Sequence, residues 1–222
     1  MEVVEHDMRT WRPPQLADVL VSELLGSFGD NELSPECLDC ANWLLKPGGI
    51  SIPAKYTSYL APVSSQKNWT QVVTVERKPE CPFVVKMHNA TVLGEPQVCF
   101  IFEHPSTSTD HKRFTKLLFP VTFPATIHGL IGYFDGHLYG DFHTSILPSN
   151  HTAEMSSWFP IFFPLKQPQM AAEGDVVEVC MWRSVTGSRV WYEWLVSLRH
   201  DGALKSCSGI HNPSGKSYWI GK

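Results

Sequence analysis

The sequence predicts two regions of different fold class. An α/β unit is expected over residues 1–54, and an antiparallel β structure, either a barrel or a sandwich, over residues 55–222. The first region holds an apolar, strand-like run at 18–21 and a segment with helical spacing. After Pro53, short aromatic and β-branched runs alternate with Gly, Pro, Asn and Ser turns. The 43% hydrophobic content is enough for one substantial core.

The first region is expected to contain a strand around Val3 and Val4 and a second strand over residues 17–23. The run at 18–21 is apolar and β-branched, which is typical of a strand buried on both faces. Glu23 then lies at the carboxyl end of the strand. Because ligands bind at this end in open α/β sheets, Glu23 is a candidate site residue.

A helix is predicted next, with Ser34 as its N-cap and Pro35 in its first turn. The apolar positions at helical spacing are Cys37, Leu38, Ala41, Leu44 and Leu45. The Pro-Gly-Gly sequence at 47–49 is predicted to end the helix, and a closing strand is expected to follow it.

The second region shows little helical periodicity, so its elements are predicted to be strands. The predicted strands comprise residues 83–85, 98–102, 115–119, 127–134, 176–182 and 190–198. Short strands at this spacing favour a barrel or a sandwich with an inner face of Phe, Trp and Val.

The loop after the second strand carries the strongest functional signal. Glu23 and Glu32 are nine positions apart, and Gly26 and Gly29 between them permit tight or left-handed turns. Two facing carboxylates repel each other and raise one pKa, which indicates a cation between them. A guanidinium fits best, because its forked donors match carboxylates. The alternative is a pair of solvated loop carboxylates.

Two further motifs have weaker interpretations. Cys37 and Cys40 form a C-x-x-C pair, but no second pair follows at zinc-site spacing, so no metal site is predicted and Cys40 is expected to be a free thiol. Residues 214–217 resemble the end of a P-loop, yet Ile210 stands where that motif requires glycine. Nucleotide binding there is therefore not expected.

Composition argues against several partner classes. The net charge of -4 is too weak to indicate nucleic-acid binding, and no apolar run reaches membrane-spanning length. The N-terminal sequence lacks the features of a signal peptide. Glycosylation sequons at Asn68, Asn89 and Asn150 are accordingly taken as chance, although they leave an unrelated secreted β-sandwich as a third interpretation.

The segment 22–39, SELLGSFGDNELSPECLD, resembles the double-glutamate loop of the protein arginine N-methyltransferases. The sequence of this segment is similar to that of the type II, symmetric-dimethylating branch, member five of that family. The resemblance extends along essentially the whole chain. It also includes residues 7–9, 49–53, 157–160, 191–194 and 210–215.

This resemblance implies a role for each matching residue. Glu23 and Glu32 would be catalytic, and Glu23 would also contact the cofactor, S-adenosyl-L-methionine, together with Asp7 and Met8. The substrate-binding residues implied are Leu24, Ser157, Trp158 and Phe159. Ser157 matches the type II branch, since other family members carry histidine at this position.

The resemblance also implies a fold, the C-terminal part of a Rossmann-like methyltransferase sheet followed by a β-barrel that covers the substrate and contributes to dimerisation. No G-x-G-x-G turn for the methyl donor occurs in the sequence. The glycine turn, the ribose-binding acid, the phenylalanine that directs symmetric dimethylation and an N-terminal barrel domain are therefore expected upstream of Met1. The alternative function is a catalytically incomplete fragment or isoform that acts as a dimerisation or regulatory module.

The resemblance further implies the partners. Arginine-containing substrates such as histone tails and Sm proteins are expected, along with assembly as a homo-oligomer. A WD-repeat partner would bind the N-terminal domain that lies upstream. The expected locations are the cytoplasm and the nucleus.

Overall fold

In the first region, two parallel strands are joined by a loop and two short helices. The computed structural model describes residues 2–87 and 89–222. In chain order the elements are β1 (Ala17–Val21), α1 (Ser34–Leu38), α2 (Ala41–Leu44) and β2 (Leu45–Ile52). The pairing of Val21 with Ile52 is parallel, as a crossover connection requires. This arrangement confirms the predicted α/β character of the region.

The predicted strands of this region need two corrections. Residues 2–5 form no strand, and Val3 is 83% exposed because no neighbouring strand pairs with it among the described residues. The second strand ends at Val21, and the prediction that it is buried on both faces is wrong. Val21 is 72% exposed because, within the described residues, β1 pairs only with β2 and its faces are not covered.

The predicted helix is interrupted, with Asp39 and Cys40 in a turn between α1 and α2. The N-cap is Leu33, with a left-handed backbone, because the Ser34 hydroxyl lies inside the helix and donates to the Tyr56 hydroxyl at 2.7 Å. Pro35 occupies the first turn, as predicted. Residues 45–49 belong to β2 and do not end the helix as predicted, since Leu45 already has an extended backbone.

The second region contains twelve strands and two short helical segments within the described residues. The strands are β3 (Lys55–Ser64), β4 (Phe83–Val84), β5 (Thr91–Val92), β6 (Gln97–Glu103), β7 (Arg113–Pro120), β8 (Ala125–Tyr139), β9 (Phe142–Ser145), β10 (Ile161–Ala171), β11 (Val176–Val185), β12 (Arg189–His200), β13 (Ala203–Cys207) and β14 (Ile220–Gly221). The helical segments are α3 (Gln66–Trp69), continued by a π-helix (Thr70–Val75), and a 3₁₀ turn (Pro213–Gly215). None of the helices in residues 2–87 and 89–222 has the length and apolar character needed to cross a membrane.

These strands form one seven-stranded and one five-stranded antiparallel sheet. The sheets pack together through buried aromatic side chains. Phe163 of β10 meets Trp194 of β12 edge to face, and the Trp194 indole donates to the Pro164 carbonyl at 2.9 Å. The hydrogen-bonded strands of the described residues do not close into a single ring. The antiparallel β architecture is therefore confirmed, whereas a closed barrel is not.

All six strands predicted for this region are present, as β4, β6, β7, β8, β11 and β12. Two long strands were not predicted because they contain proline, which usually interrupts a strand. In β3, Pro62 falls between Leu60, the last residue paired with β6, and Val63, the first paired with β5. In β10, an irregularity in the pairing with β8 begins at Pro164.

A buried histidine lies beside the junction of the two regions. His104 is 7% exposed, and its ring packs against Tyr56 with 5.5 Å between centroids. Neither ring nitrogen has a hydrogen-bond partner among the described residues. Burial, with a smaller contribution from the charge of His111, lowers the pKa of His104 to about 4. The folded protein therefore keeps this imidazole neutral.

The burial of His104 predicts a loss of stability in acid. The unfolded chain binds the proton near pH 6.5 and the folded chain only near pH 4, so stability is complete above pH 6.5 and falls as the pH drops towards 4. The loss attributable to this group should be about 3 kcal/mol. Urea unfolding of wild type and His104→Phe across this range measures it. An equally steep pH dependence in His104→Phe would contradict the prediction.

Candidate functional site

The loop between β1 and α1 (residues 22–33, the double-glutamate loop) is a narrow hairpin. Gly26 and Gly29 exchange backbone hydrogen bonds of 3.2 and 2.8 Å across its turn. A Cβ atom on Gly26 would collide with the Asn31 side chain, and one on Gly29 would lie 2.8 Å from the Tyr56 ring. Gly29 also has a φ of +81°, in the left-handed region that favours glycine. Both glycines are therefore needed for this turn, as the sequence predicts.

Phe28 anchors the tip of the hairpin in the core of the second region. Its side chain is fully buried and meets the rings of Phe100, Phe163 and Tyr192 edge to face. Its carbonyl accepts a hydrogen bond of 2.7 Å from the Ser58 hydroxyl. The apolar contact and the hydrogen bond fix the turn, so the two arms of the loop start from a rigid base.

A buried ion cluster holds the second arm of the loop. The Asp30 carboxylate is fully buried and accepts hydrogen bonds from Arg183 Nε at 2.5 Å and from the Tyr192 hydroxyl at 2.6 Å. The other two Arg183 nitrogens donate to the two carboxylate oxygens of Glu36, each at 2.9 Å. Burial alone would lower the pKa of Arg183, because it disfavours the charged guanidinium. The carboxylates of Asp30 and Glu36 have a larger opposite effect, so the pKa of Arg183 lies above its ordinary value.

Glu23 and Glu32 lie on the two arms of the hairpin, and both side chains are exposed. Partial burial, followed by the negative charge of Glu23, raises the pKa of Glu32. The two acids are therefore within electrostatic range of each other. Neither forms a salt bridge with a cationic side chain in residues 2–87 or 89–222. Their charge is available to an external cation.

Trp158 connects a second loop to this hairpin. Its indole N–H donates to the Leu25 carbonyl at 2.8 Å, and its ring meets Phe134 edge to face. The backbone of Trp158 has a φ of 57°, which is unusual for a bulky residue. Leu24 is half-buried beside the bonded carbonyl, and Ser157 and Phe159 flank the indole on an exposed stretch. The structure thus brings Trp158 to the double-glutamate loop, in which Leu24 itself lies.

Asp7 and Met8 occupy a separate turn. The Asp7 carboxylate accepts hydrogen bonds from Arg9, including one of 2.8 Å from its guanidinium, and these bonds lower the pKa of Asp7 to about 2. Met8 is half-buried. The charges of both Asp7 and Arg9 act on the Cys37 thiol, so the turn lies near α1. No hydrogen bond or salt bridge joins Asp7 to Glu23 within the described part of the chain.

No other chemistry is apparent at this site. Residues 2–87 and 89–222 contain no group of three or more His, Cys, Asp or Glu placed to hold a metal ion. Cys37 and Cys40 are free thiols, and burial raises the pKa of both, that of Cys40 to about 11. Such thiols are poorly ionised and unreactive at neutral pH.

Sequence reasoning missed the buried ion cluster of Arg183, Asp30 and Glu36. Arg183 interrupts the apolar pattern of a buried strand, which is a signal for a paired charge but does not identify its partners.

Comparison with known families matches both regions. The profile described as the PRMT5 arginine-N-methyltransferase matches residues 1–52, and the PRMT5 oligomerisation domain matches residues 55–220. The chain belongs to the PRMT5 family. The resemblance noted in the sequence is therefore confirmed.

Relatives in this family include protein arginine N-methyltransferase 5 of Xenopus laevis, which is 49% identical over 99% of this chain and 35% of its own length. The skb1 methyltransferase of Schizosaccharomyces pombe is 40% identical over 96% of this chain and 38% of its own length. The chain thus spans about a third of the length of these curated relatives.

Solved structures share the fold at low sequence identity. Arabidopsis thaliana protein arginine methyltransferase 10 superposes with a TM-score of 0.76, with 16% identity over 99% of this chain and 75% of that chain. The Trypanosoma brucei PRMT1 enzyme-prozyme heterotetrameric complex with AdoHcy gives a TM-score of 0.71, with 12% identity over 100% of this chain and 72% of that chain. The sheet-rich α/β fold of this PRMT5-family chain is therefore that of protein arginine methyltransferases.

The ion cluster predicts a large effect of one substitution in this PRMT5-family chain. Arg183→Met should lower the free energy of unfolding by about 3–5 kcal/mol, because it leaves the buried Asp30 and Glu36 charges unpaired. Arg199→Met is the matched control, since Arg199 forms a partly exposed pair with Glu178. The control should cost less than about 1 kcal/mol. Chemical denaturation compares the two, and similar losses would refute a special role for Arg183.

Proposed function

We propose that this protein takes part in methyl transfer from S-adenosyl-L-methionine to the guanidino nitrogens of protein arginines. The observation that carries the proposal is the pair of unpaired carboxylates, Glu23 and Glu32, on the arms of an anchored hairpin. Two exposed carboxylates that lie close enough for the charge of Glu23 to raise the pKa of Glu32 suit a guanidinium. A guanidinium is planar, and its N–H donors can serve two carboxylates at once. Membership of the PRMT5 family supports the same reaction class.

The chemistry explains why two acids are useful. A protonated guanidinium is a poor nucleophile, because its lone pairs are delocalised over the whole group. Glu23 and Glu32 accept hydrogen bonds from the outer nitrogens, draw the positive charge towards themselves and orient one nitrogen. Fixing that orientation removes much of the entropy of a bimolecular encounter. The negative charge also stabilises the cation as methylation proceeds.

The loop that contains Trp158 covers the substrate arginine at the two acids. The Trp158 indole donates to the Leu25 carbonyl, and Ser157 and Phe159 are its neighbours in the sequence. These side chains and Leu24 enclose the substrate arginine and exclude water, which strengthens the hydrogen bonds to the acids. This account is supported by the contact between the two loops.

The turn at Asp7 and Met8 is proposed to hold the adenine of the methyl donor, with Glu23 near its other end. The fit is reasonable: Asp7 offers acceptor oxygens for an amine and Met8 an apolar surface, although Arg9 already donates to both Asp7 oxygens. An amine would share the remaining lone pairs. When bound, the donor supplies an electrophilic methyl group.

The finer assignments rest on family membership. We propose that residues 1–54 are the C-terminal part of a Rossmann-like methyltransferase domain and residues 55–222 a β-barrel for substrate binding and dimerisation. The product would be symmetric dimethylarginine on histone tails and Sm proteins, made by a homo-oligomer in the cytoplasm and the nucleus. Association with a WD-repeat partner through an N-terminal domain is part of the same proposal. The match of residues 55–220 to an oligomerisation domain supports self-assembly.

A second candidate is a dimerisation or regulatory module without its own activity. It is favoured by the oligomerisation-domain match and by the exposed faces of β1, which leave the methyltransferase sheet at two strands within the described residues.

Donor binding separates the two candidates. Calorimetric titration of the purified, folded protein with S-adenosylhomocysteine should give micromolar affinity if the donor site is functional. Circular dichroism provides the folding control. A folded protein that does not bind the ligand would instead support the module without activity.

Removing either negative charge should stop turnover without unfolding the protein. Glu23→Gln or Glu32→Gln should lower kcat about 100-fold to 1,000-fold, because the amide keeps the shape but loses the charge that the guanidinium requires. Methyl transfer to a Gly-Arg-rich peptide measures the effect. Glu173→Gln, on an exposed turn, is the matched control. Near-normal turnover in either site variant would eliminate the two-acid clamp.

A further inference from the structure

Two glycines of β8 lie against the double-glutamate loop. Gly132 and Gly136 are buried, and with Phe134 they occupy alternate positions of the strand, so all three face the same side of the sheet. A Cβ atom on Gly132 would lie 2.6 Å from the Phe28 ring, and one on Gly136 would lie 3.2 Å from the end of the Leu25 side chain. Each glycine therefore leaves the space that one apolar residue of the hairpin fills.

Phe134, between the two glycines, contacts both loops of the site. A Cβ atom on Gly29, at the turn of the hairpin, would lie 3.6 Å from the Phe134 Cβ. The Trp158 ring meets the Phe134 ring edge to face, with 5.5 Å between centroids. The hairpin and the loop that contains Trp158 thus rest on one short stretch of β8, residues 132–136 (the β8 seat).

The β8 seat has no room for a side chain at Gly132. A Cβ atom there would lie between the Phe28 ring at 2.6 Å and the Ile161 side chain of β10 at 2.7 Å. Carbon atoms in contact are normally about 3.5 Å apart or more, so the neighbours would have to move by about 1 Å. Phe28 is fully buried and packs on Phe163 and Tyr192 on its other sides. The displacement is therefore passed to the backbone of the hairpin.

We infer that Gly132 and Gly136 are positioning residues, which set the height of the double-glutamate loop above β8 and thereby its separation from the loop that contains Trp158. The inference rests on the proposed function. The glycines act through Phe28 and Leu25, which form the base of the hairpin that carries the two acids. Methyl transfer requires alignment of the arginine with the donor, and a displacement of about 1 Å can lower the rate about 100-fold.

The first test is Gly132→Ala in the purified protein, with S-adenosyl-L-methionine and a Gly-Arg-rich peptide as substrates. Its kcat should fall about tenfold to 100-fold, because the two acids are misaligned. The peptide KM and the calorimetric Kd for S-adenosylhomocysteine should stay within about threefold. Gly136→Ala should lower kcat about twofold to fivefold in the same assay, since its Cβ would meet only the end of a flexible side chain.

Two further variants separate positioning from a general loss of packing. Adding Phe28→Leu to Gly132→Ala should recover most of the lost kcat, because leucine lacks the ring atoms that the new methyl group meets. Gly129→Ala is the matched control on the same strand. Its Cβ would lie 2.5 Å from both the Phe162 ring and the Phe163 carbonyl, and its nearest neighbours all belong to β10. The control should lower Tm but keep the kcat of the folded protein within about twofold.

Hydrogen exchange gives a measurement that does not depend on methyl transfer. The amides of Gly26, Phe28 and Gly29 are hydrogen-bonded within the hairpin. In Gly132→Ala these amides should exchange about tenfold faster than in the wild type, because the hairpin no longer fits its seat. In Gly129→Ala their exchange should be unchanged.

A folded Gly132→Ala protein with wild-type kcat and wild-type exchange in the hairpin would overturn the inference. An equal fall of kcat in Gly129→Ala, or a double variant no more active than Gly132→Ala, would also overturn it. If Gly132→Ala does not fold, Gly136→Ala decides by the same two measurements. The proposed function fails separately: if the wild type transfers no methyl group but the hairpin exchange responds as expected, the glycines still position the loop and only the reaction is wrong.

Discussion

The buried guanidinium of Arg183 is the interaction on which the arrangement of the two regions depends. It reaches from β11 in the five-stranded sheet to Asp30 in the double-glutamate loop and to Glu36 in α1. Burying three charges is costly, so such a cluster adds little net stability compared with an apolar contact. Its value lies in geometry, because a bidentate pair tolerates few relative orientations. We infer that it sets the register of the loop against the sheet.

Around this cluster, the double-glutamate loop divides into a buried base and exposed arms. Phe28 and Asp30 fill apolar and polar sites of the core, while Glu23 and Glu32 remain at the surface. The rigidity of the loop comes from the buried residues and not from the two exposed acids. Carboxylates placed on such a base need little reorganisation when a cation arrives, which is the condition for strong electrostatic stabilisation. The same base supports the Leu25 carbonyl to which Trp158 is bonded.

The sequence predicts local features well and distant pairings poorly. The six strands after Pro53 follow from alternating apolar runs, and the tight turn of the hairpin follows from Gly26 and Gly29. In contrast, Asp30 and Arg183 are 153 residues apart, and no local pattern joins them. The exposure of β1 could not be predicted either. An apolar run indicates which residues favour burial, but it does not show which elements cover them.

Trp158 illustrates a conflict between the backbone and the side chain of one residue. Its positive φ is a conformation that glycine adopts freely and that costs a bulky residue about 1–2 kcal/mol. Glycine would relieve this cost, but it would remove the indole that bonds to Leu25 and packs on Phe134. Backbone conformation and side-chain contacts therefore favour different residues at position 158. The contacts of the indole offset the backbone cost, so a glycine here would relax the backbone and detach this loop from the hairpin.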